Sequence, residues 1–194
     1  MKPFKRRRRG GLSATFEIGE AHLLASLAGQ VVELLRDRNG AEESDADPLA
    51  AQLGMGGPSL PPEDPVLQRL LPDAYRDDPD DAGEFRRFTE RSLTSAKVFN
   101  AEALIGSLVD GGLTFGEMPD EDGDPVEVEL DDDEVQAWLR ALTDVRLSLA
   151  VRLGIETDED TLLVAASEDE ATAAMSDIFE WLGYVQETLI AAID

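Results

Sequence analysis

The chain has 194 residues, 42% of them hydrophobic, no cysteine and a formal net charge of −25, which is the make-up of one domain with a core of ordinary size. The absence of thiols from these residues excludes disulfides, thiolate nucleophiles and cysteine-ligated zinc, and it suits a reducing compartment. Six of the 17 basic residues (Lys2, Lys5, Arg6, Arg7, Arg8 and Arg9) fall in the first nine positions, so the rest is more acidic still, which disfavours duplex DNA and favours basic partners as well as solubility.

Residues 1–11 are expected to form a flexible basic tail, and 12–194 a single α+β domain. No apolar run approaches the roughly 20 residues of a membrane span. No adequate apolar stretch follows the early cations as in a signal peptide either, so a cytoplasmic protein is expected. Leu12, Ala14, Phe16 and Ile18 alternate with polar residues and predict a first strand. A helix follows from about Glu20 to Arg38, with Leu24, Leu27, Val31 and Leu34 on its seam and Asn39-Gly40 as its stop. Acids, glycines and prolines then predict a loop over about 41–65, with one helical turn at Leu49 to Leu53.

Pro65 can start a short helix carrying Val66, Leu67, Leu70 and Leu71. Asp80 to Asp110 reads as two consecutive helices joined near Ser92 or Thr94. Ala82, Phe85 and Phe88 would form the apolar face of the first, and Ala96, Phe99, Ala103, Leu104 and Leu108 that of the second. Leu113 to Phe115 and Val126 to Leu130 read as strands of a hairpin with an acidic loop between them.

The best-specified element is the helix after that second strand. Asp131 and Glu134 make a capping box. Val135, Trp138, Leu139, Leu142, Val145, Leu149 and Leu153 form an apolar stripe, and Gly154 suits a left-handed stop. Glu156 to Ala166 fits either a helical turn or an extended piece. Ser167 and Glu170 spell a second capping box before a last helix bearing Met175, Ile178, Leu182, Val185, Leu189 and Ile193. The expected fold is mainly α with a small antiparallel sheet, about five main helices and three short strands, loosely winged-helix-like. The acidic hairpin tip, Asp120 to Asp124, is unlike a phosphate-contacting wing.

Catalytic patterns are missing. His22 has no second histidine, Asp120, Asp122 and Asp124 lack the glycine and glutamate spacing of a calcium loop, and Gly54-Met55-Gly56-Gly57 fits neither nucleotide fingerprint. The chain is expected not to be an enzyme, with no catalytic, cofactor-binding or metal site. One cationic island, Arg86, Arg87, Arg91 and Lys97, is either a solvated, locally paired helix face or a contact surface for an acidic partner or phosphate. Trp138 and Trp181 sit at core spacing.

Several segments carry a resemblance. Asp64 to Arg76, Glu84 to Glu90, Trp138 to Leu147 continuing to Ile155, and Trp181 to Glu187 together resemble an actinobacterial family, formerly of unknown function, associated with the oxidative-stress transcriptional regulator AosR. The resemblance covers nearly the whole chain after Gly11. It implies a cytoplasmic regulator that works with a stress sigma factor and promoter DNA on thiol and cysteine-synthesis genes. It transfers no catalytic or DNA-reading residue. A cysteine pair cannot sense oxidant here, so a redox input would come through the partner. The charge adds that an acidic body can approach a basic transcription protein such as a sigma factor while Lys5 to Arg9 assist at phosphate. The other reading is an acidic protein–protein adaptor with no promoter role.

Overall fold

The structure is a computed structural model, which describes residues 1–8, 10–43, 58–75, 77–115 and 123–193. Its centre is the element whose ends are written most clearly in the chain, the helix Asp132–Leu153. Asp131 Oδ1 accepts from the N–H groups of Asp133 and Glu134 at 3.0 and 2.9 Å, and Glu134 Oε2 accepts from the Asp131 N–H at 2.8 Å. This closes a capping box of about 1 kcal/mol. Gly154 ends the helix at φ 70°, and the Ile155 N–H donates to the Ala150 carbonyl at 2.8 Å. Val135, Trp138, Leu142, Val145 and Leu149 are buried along its inner face.

Three strands lie against this helix: β1 (Lys2–Arg6), β2 (Leu12–Phe16) and β3 (Val126–Leu130), antiparallel and ordered β1-β2-β3. Lys5 pairs with Ser13, and Ala14 with Val128. Alternation puts Phe4, Leu12, Ala14, Phe16, Val126, Val128 and Leu130 on one buried face. The Trp138 ring stacks on Phe16 at 5.9 Å and meets Phe4 edge-on at 5.6 Å.

The sheet corrects two expectations. The first six residues are not a flexible tail but an edge strand, anchored by Phe4 at 6% exposure. The 113–130 hairpin does not form. Leu113 to Phe115 is not a strand; Leu113 is buried and its N–H donates to the Leu108 carbonyl as the preceding helix unwinds. The sheet's hairpin is instead β1–β2, closed where the Arg7 N–H bonds the Gly11 carbonyl at 3.0 Å. Gly11 is required there: φ is 74°, and a Cβ would stand 2.2 Å from the Leu130 carbonyl oxygen. The winged-helix likeness is therefore not supported, and residues 116–122 of the expected wing lie outside the described residues.

Among the described residues six helices accompany the sheet: α1 (Ile18–Glu43), α2 (Pro65–Leu70), α3 (Pro79–Asp110), α4 (Asp132–Leu153), α5 (Asp158–Ala165) and α6 (Glu170–Ile193). The mainly-α, small-sheet α+β reading thus holds. α1 packs on α3, α3 on α4, and α4 on α6, with α2 also against α4. α1 runs through Asn39-Gly40 instead of stopping there. Its core face is Ala21, Leu24, Ala25, Ala28, Val31, Val32 and Leu35, with Leu27 and Leu34 only partly buried. By length and composition Ile18–Asn39 is apolar enough to cross a membrane, with a mean hydropathy of 1.2, unlike the expectation from the sequence. Here that apolar face packs on α3 and α4.

Asp64 caps α2 through the N–H groups of Val66 and Leu67. The expected turn at Leu49 to Leu53 lies outside the described residues, as does most of the 41–65 loop. Thr157 and Asp160 cap α5, so Glu156 to Ala166 takes the helical option. α6 is capped by Asp169, whose carboxylate accepts from the Thr172 N–H at 2.8 Å. Ser167 instead accepts from the Asp169 N–H at 3.2 Å. On α6 the closely buried apolar residues are Leu182, Val185 and Leu189.

Candidate interaction site

α3 is one unbroken helix, not two. Asp78 caps it by accepting from the N–H groups of Asp80 and Asp81, and Pro79 occupies the first turn. The expected junction residues, Ser92 and Thr94, do not interrupt it: the Ser92 hydroxyl donates back to the Thr89 carbonyl within the continuous helix, and Thr94 is buried on its inner face.

The helix is inverted in its first half. The residues turned inward are Arg86, Glu90 and Thr94, at 6%, 2% and 0% exposure. The phenylalanines expected in the core stand outside: Phe85 is 44%, Phe88 55% and Phe99 68% exposed. From Ala101 onward the pattern is ordinary, with Ala101, Leu104 and Leu108 buried.

The inward charges form a paired cluster. Arg86 Nη1 donates to the Ser59 carbonyl at 2.6 Å, Nη2 pairs with Asp73, and Nε lies 3.5 Å from Glu90 Oε2. Arg38 on α1 donates to Glu90 Oε1 at 2.9 Å and to the Leu60 carbonyl at 2.7 Å. Two arginines and two carboxylates thus offset one another and hold the 58–60 and 71–75 segments against α1 and α3. Lys97 Nζ donates to Asp144 Oδ1 on α4 at 2.6 Å. Burial pushes the Asp144 carboxyl above the ordinary carboxylate range, and the Lys97 ammonium partly pulls it back.

The four-residue island of the sequence therefore divides. Arg86 and Lys97 serve internal ion pairs and are not a contact surface; only Arg87 and Arg91 face solvent, without an ion pair to any described residue. Partners 13 and 47 positions away leave no local signal in the sequence. The other predicted group divides as well. Arg6 caps the end of α6, its Nε donating to the Ala192 carbonyl at 3.1 Å and its Nη2 to that of Ile193. Arg7 pairs with Glu129 at 2.6 Å. Lys5 and Arg8 remain exposed with Lys2, and Arg9 lies outside the described residues.

Beside the outer face of α3 is a feature that sequence reasoning missed, a cavity of about 400 Å³ between Leu71–Ala74 and the helix. Leu71, Ala82, Phe85, Leu93 and Ala96 give it apolar walls, Asp73, Arg86 and Glu90 of the ion-pair cluster line it as well, and Thr89 and Ser92 lie along it. The Tyr75 ring meets Phe85 edge-on at 5.9 Å. The available signal was the conflict between Phe85, Phe88 and Phe99 on one stripe and Arg86, Glu90 and Lys97 on another, resolved in favour of the wrong side. Among the described residues no three His, Cys, Asp or Glu side chains gather as metal ligands would. His22 lies within ring-contact distance of Phe115, at 6.4 Å.

The chain is similar to the oxidative stress regulator AosR of Mycobacterium tuberculosis (strain ATCC 25618 / H37Rv), at 33% identity over 183 residues, covering 90% of this chain and 78% of the relative. The protein of the same name from Mycobacterium bovis has the same identity and coverage. The putative oxidative stress regulator AosR of Mycobacterium leprae is 30% identical over 188 residues, again with 90% and 78% coverage. No solved structure matches at comparable stringency. The family described as a domain of unknown function, DUF2017, matches residues 1–193, and the chain belongs to that family.

Proposed function

We propose that this protein is a cytoplasmic regulator of the oxidative-stress response that acts on transcription by binding a stress sigma factor or another basic transcription protein, with promoter DNA contacted secondarily. The observation that carries the reading is similarity over 90% of the chain to proteins named oxidative stress regulators. Electrostatics supports the mode of action. A net charge of −25 opposes independent binding to duplex DNA and draws a basic protein surface at high association rate. Phosphate contact is left to exposed cations such as Lys2, Lys5 and Arg8 on the β1–β2 hairpin and Arg87 and Arg91 on α3. These 194 residues hold no cysteine, so none of them can sense oxidant as a thiol, and a disulfide signal would come through the partner.

The test is capture of purified sigma factors by the full chain at low and moderate salt, followed by reconstituted transcription. The reading requires salt-sensitive retention of one sigma factor and a change in transcript from its promoter. Retention of a different basic protein with transcription unchanged would make the chain an acidic adaptor instead. Changing Lys2, Lys5 and Arg8 together to alanine should flatten the salt dependence of any DNA contact while the fold survives, because none of the three is buried.

A further inference from the structure

The outer face of α3 is built for a second helix, and we propose that its occupant is α3 of a second copy of this chain, crossed antiparallel, with the partner subunit's Phe99 seated in the cavity beside Ser92 and Ala96. This inference is independent of the regulatory reading. The stripe facing away from the core contains Phe85, Phe88, Ser92, Ala96, Phe99, Ala103 and Gly106, recurring at three and four residues. It extends for about 32 Å at 1.5 Å per residue. Large and small residues segregate along it: two rings near the start, one beyond the middle, and serine, alanine or glycine elsewhere.

That distribution is self-complementary in one direction only. In an antiparallel pair centred near Ser95 and Ala96, Phe85 and Phe88 come level with Ala103 and Gly106 of the partner subunit, and Phe99 comes level with Ser92 and Ser95. Every ring meets a small residue, which is what close helix packing needs. A parallel pair would set each ring against its own twin. Where the partner subunit's Phe99 arrives, the helix surface already has a recess, the 400 Å³ cavity walled by Leu71, Leu93 and Ala96, which is room for a phenyl ring.

Charge and area fit the same occupant. Across an antiparallel two-fold the same flank of each helix meets itself, so Arg91, exposed and without an ion pair to any described residue, comes nearly level with the partner subunit's Glu102. Glu102 is itself exposed and paired with Arg36, leaving room for a second cation. At about 200 Å² per side chain, the exposed parts of Phe85, Phe88 and Phe99 amount to roughly 300 Å² per copy. Two copies thus supply about half of the roughly 1,200 Å² at which stable interfaces begin, before the cavity walls are counted. The opposing term is repulsion between two bodies of −25 each. Screening within a Debye length of about 8 Å relieves it, so association should strengthen as salt is added, whereas docking of a basic protein would weaken.

The absence of cysteine from the chain permits a direct test of register. In the full-length protein, Ser95→Cys or Ala96→Cys places two thiols across the proposed two-fold, and copper–phenanthroline should oxidise at least one of these variants to a disulfide-linked dimer. Phe85→Cys, whose twin would lie about 30 Å away at 1.5 Å per residue, should stay monomeric on a denaturing gel. By sedimentation equilibrium the unsubstituted chain should dimerise at micromolar concentration, more tightly at 500 mM than at 50 mM salt. Phe99→Glu should raise the dissociation constant by about tenfold or more with an unchanged circular-dichroism melt, and Arg91→Glu should be rescued by Glu102→Arg. The proposal is overturned if the chain sediments as a monomer up to about 100 μM at both salts, a concentration beyond that of a specific dimer. It is equally overturned if neither central cysteine crosslinks, or if Phe99→Glu loses a basic partner while leaving the oligomeric state untouched.

Discussion

Replacing Lys97 by methionine separates the two roles that this lysine was open to in the sequence. Its ammonium is 2.6 Å from Asp144 Oδ1, and the side chains are 16% and 6% exposed. Methionine keeps the apolar stem and removes the charge, leaving a buried carboxylate without its partner. Such a loss costs about 3–5 kcal/mol when the orphan stays ionised. Asp144 has another course: it can take up a proton. Its folded-state pKa is already raised by burial and restrained by Lys97, so in the variant it rises further. A carboxyl with a raised folded pKa burdens the fold above that pKa and is relieved as pH falls below it. The deficit of Lys97→Met should therefore be largest at neutral pH and narrow as pH falls through the raised folded-state value of Asp144. With an m-value of about 2 kcal/mol/M, a loss of 3–5 kcal/mol lowers the urea midpoint by about 2 M. Lys97→Met with Asp144→Leu should recover most of it, since an apolar pair of similar volume replaces the ions. A loss below about 0.5 kcal/mol, without pH dependence, would mean that Lys97 is a solvated surface cation, and the internal pairing would be wrong.

Two further outcomes are expected. Gly11→Ala combines a left-handed φ with a Cβ 2.2 Å from the Leu130 carbonyl; it should destabilise the chain by more than about 1–3 kcal/mol and release amide protection across Lys2–Arg6 by hydrogen exchange, and retained protection there would refute the hairpin closure. Asp160 and Asp169 are held below the ordinary carboxylate range, Asp160 first by the Glu156 backbone N–H and Asp169 first by the Thr172 hydroxyl. Their support is complete above about pH 4 and is lost as pH falls through their depressed folded values. Acid titration followed by amide NMR should therefore loosen α5 and the first turn of α6 while Trp138 remains packed; simultaneous loss of both would contradict it.

What could be read in advance was what is decided within a few residues. The capping box at Asp131, the left-handed stop at Gly154 and the alternation of Val126, Val128 and Leu130 are complete in local sequence, and each stands where expected. β1 was concealed because a strand with a single inward anchor, Phe4, has no alternation to show, and its charged neighbours imitate a tail. α3 misled for a different reason. Its inner face is charged and its outer face aromatic, so periodicity located two stripes and hydrophobicity chose the exposed one for the core. Arg86 and Lys97 became legible only with Asp73, Glu90 and Asp144 in place around them, since tertiary pairing decides whether a basic side chain meets water. Asp169 in place of Ser167 as the cap of α6 is the small version of the same point: two adjacent oxygens competed, and the geometry of the turn selected one.

The hold that Arg6 takes on the last turn of α6 bears on the order in which this fold is made during synthesis. β1 is synthesised before the other elements described, and its β2 partner follows at once, but the carbonyls of Ala192 and Ile193 to which Arg6 donates are separated from it by 186 and 187 positions. The contact with α6 must therefore wait while the intervening elements are translated, although β2 and β3 can pair and Phe4 can meet Trp138 before then. Those separations are the longest among the described side-chain hydrogen bonds, and closure entropy rises, though slowly, with span. The Arg6 contact should form late, as a latch on a fold already assembled by α1, α3 and α4, and its opening should be among the easiest excursions of the finished protein.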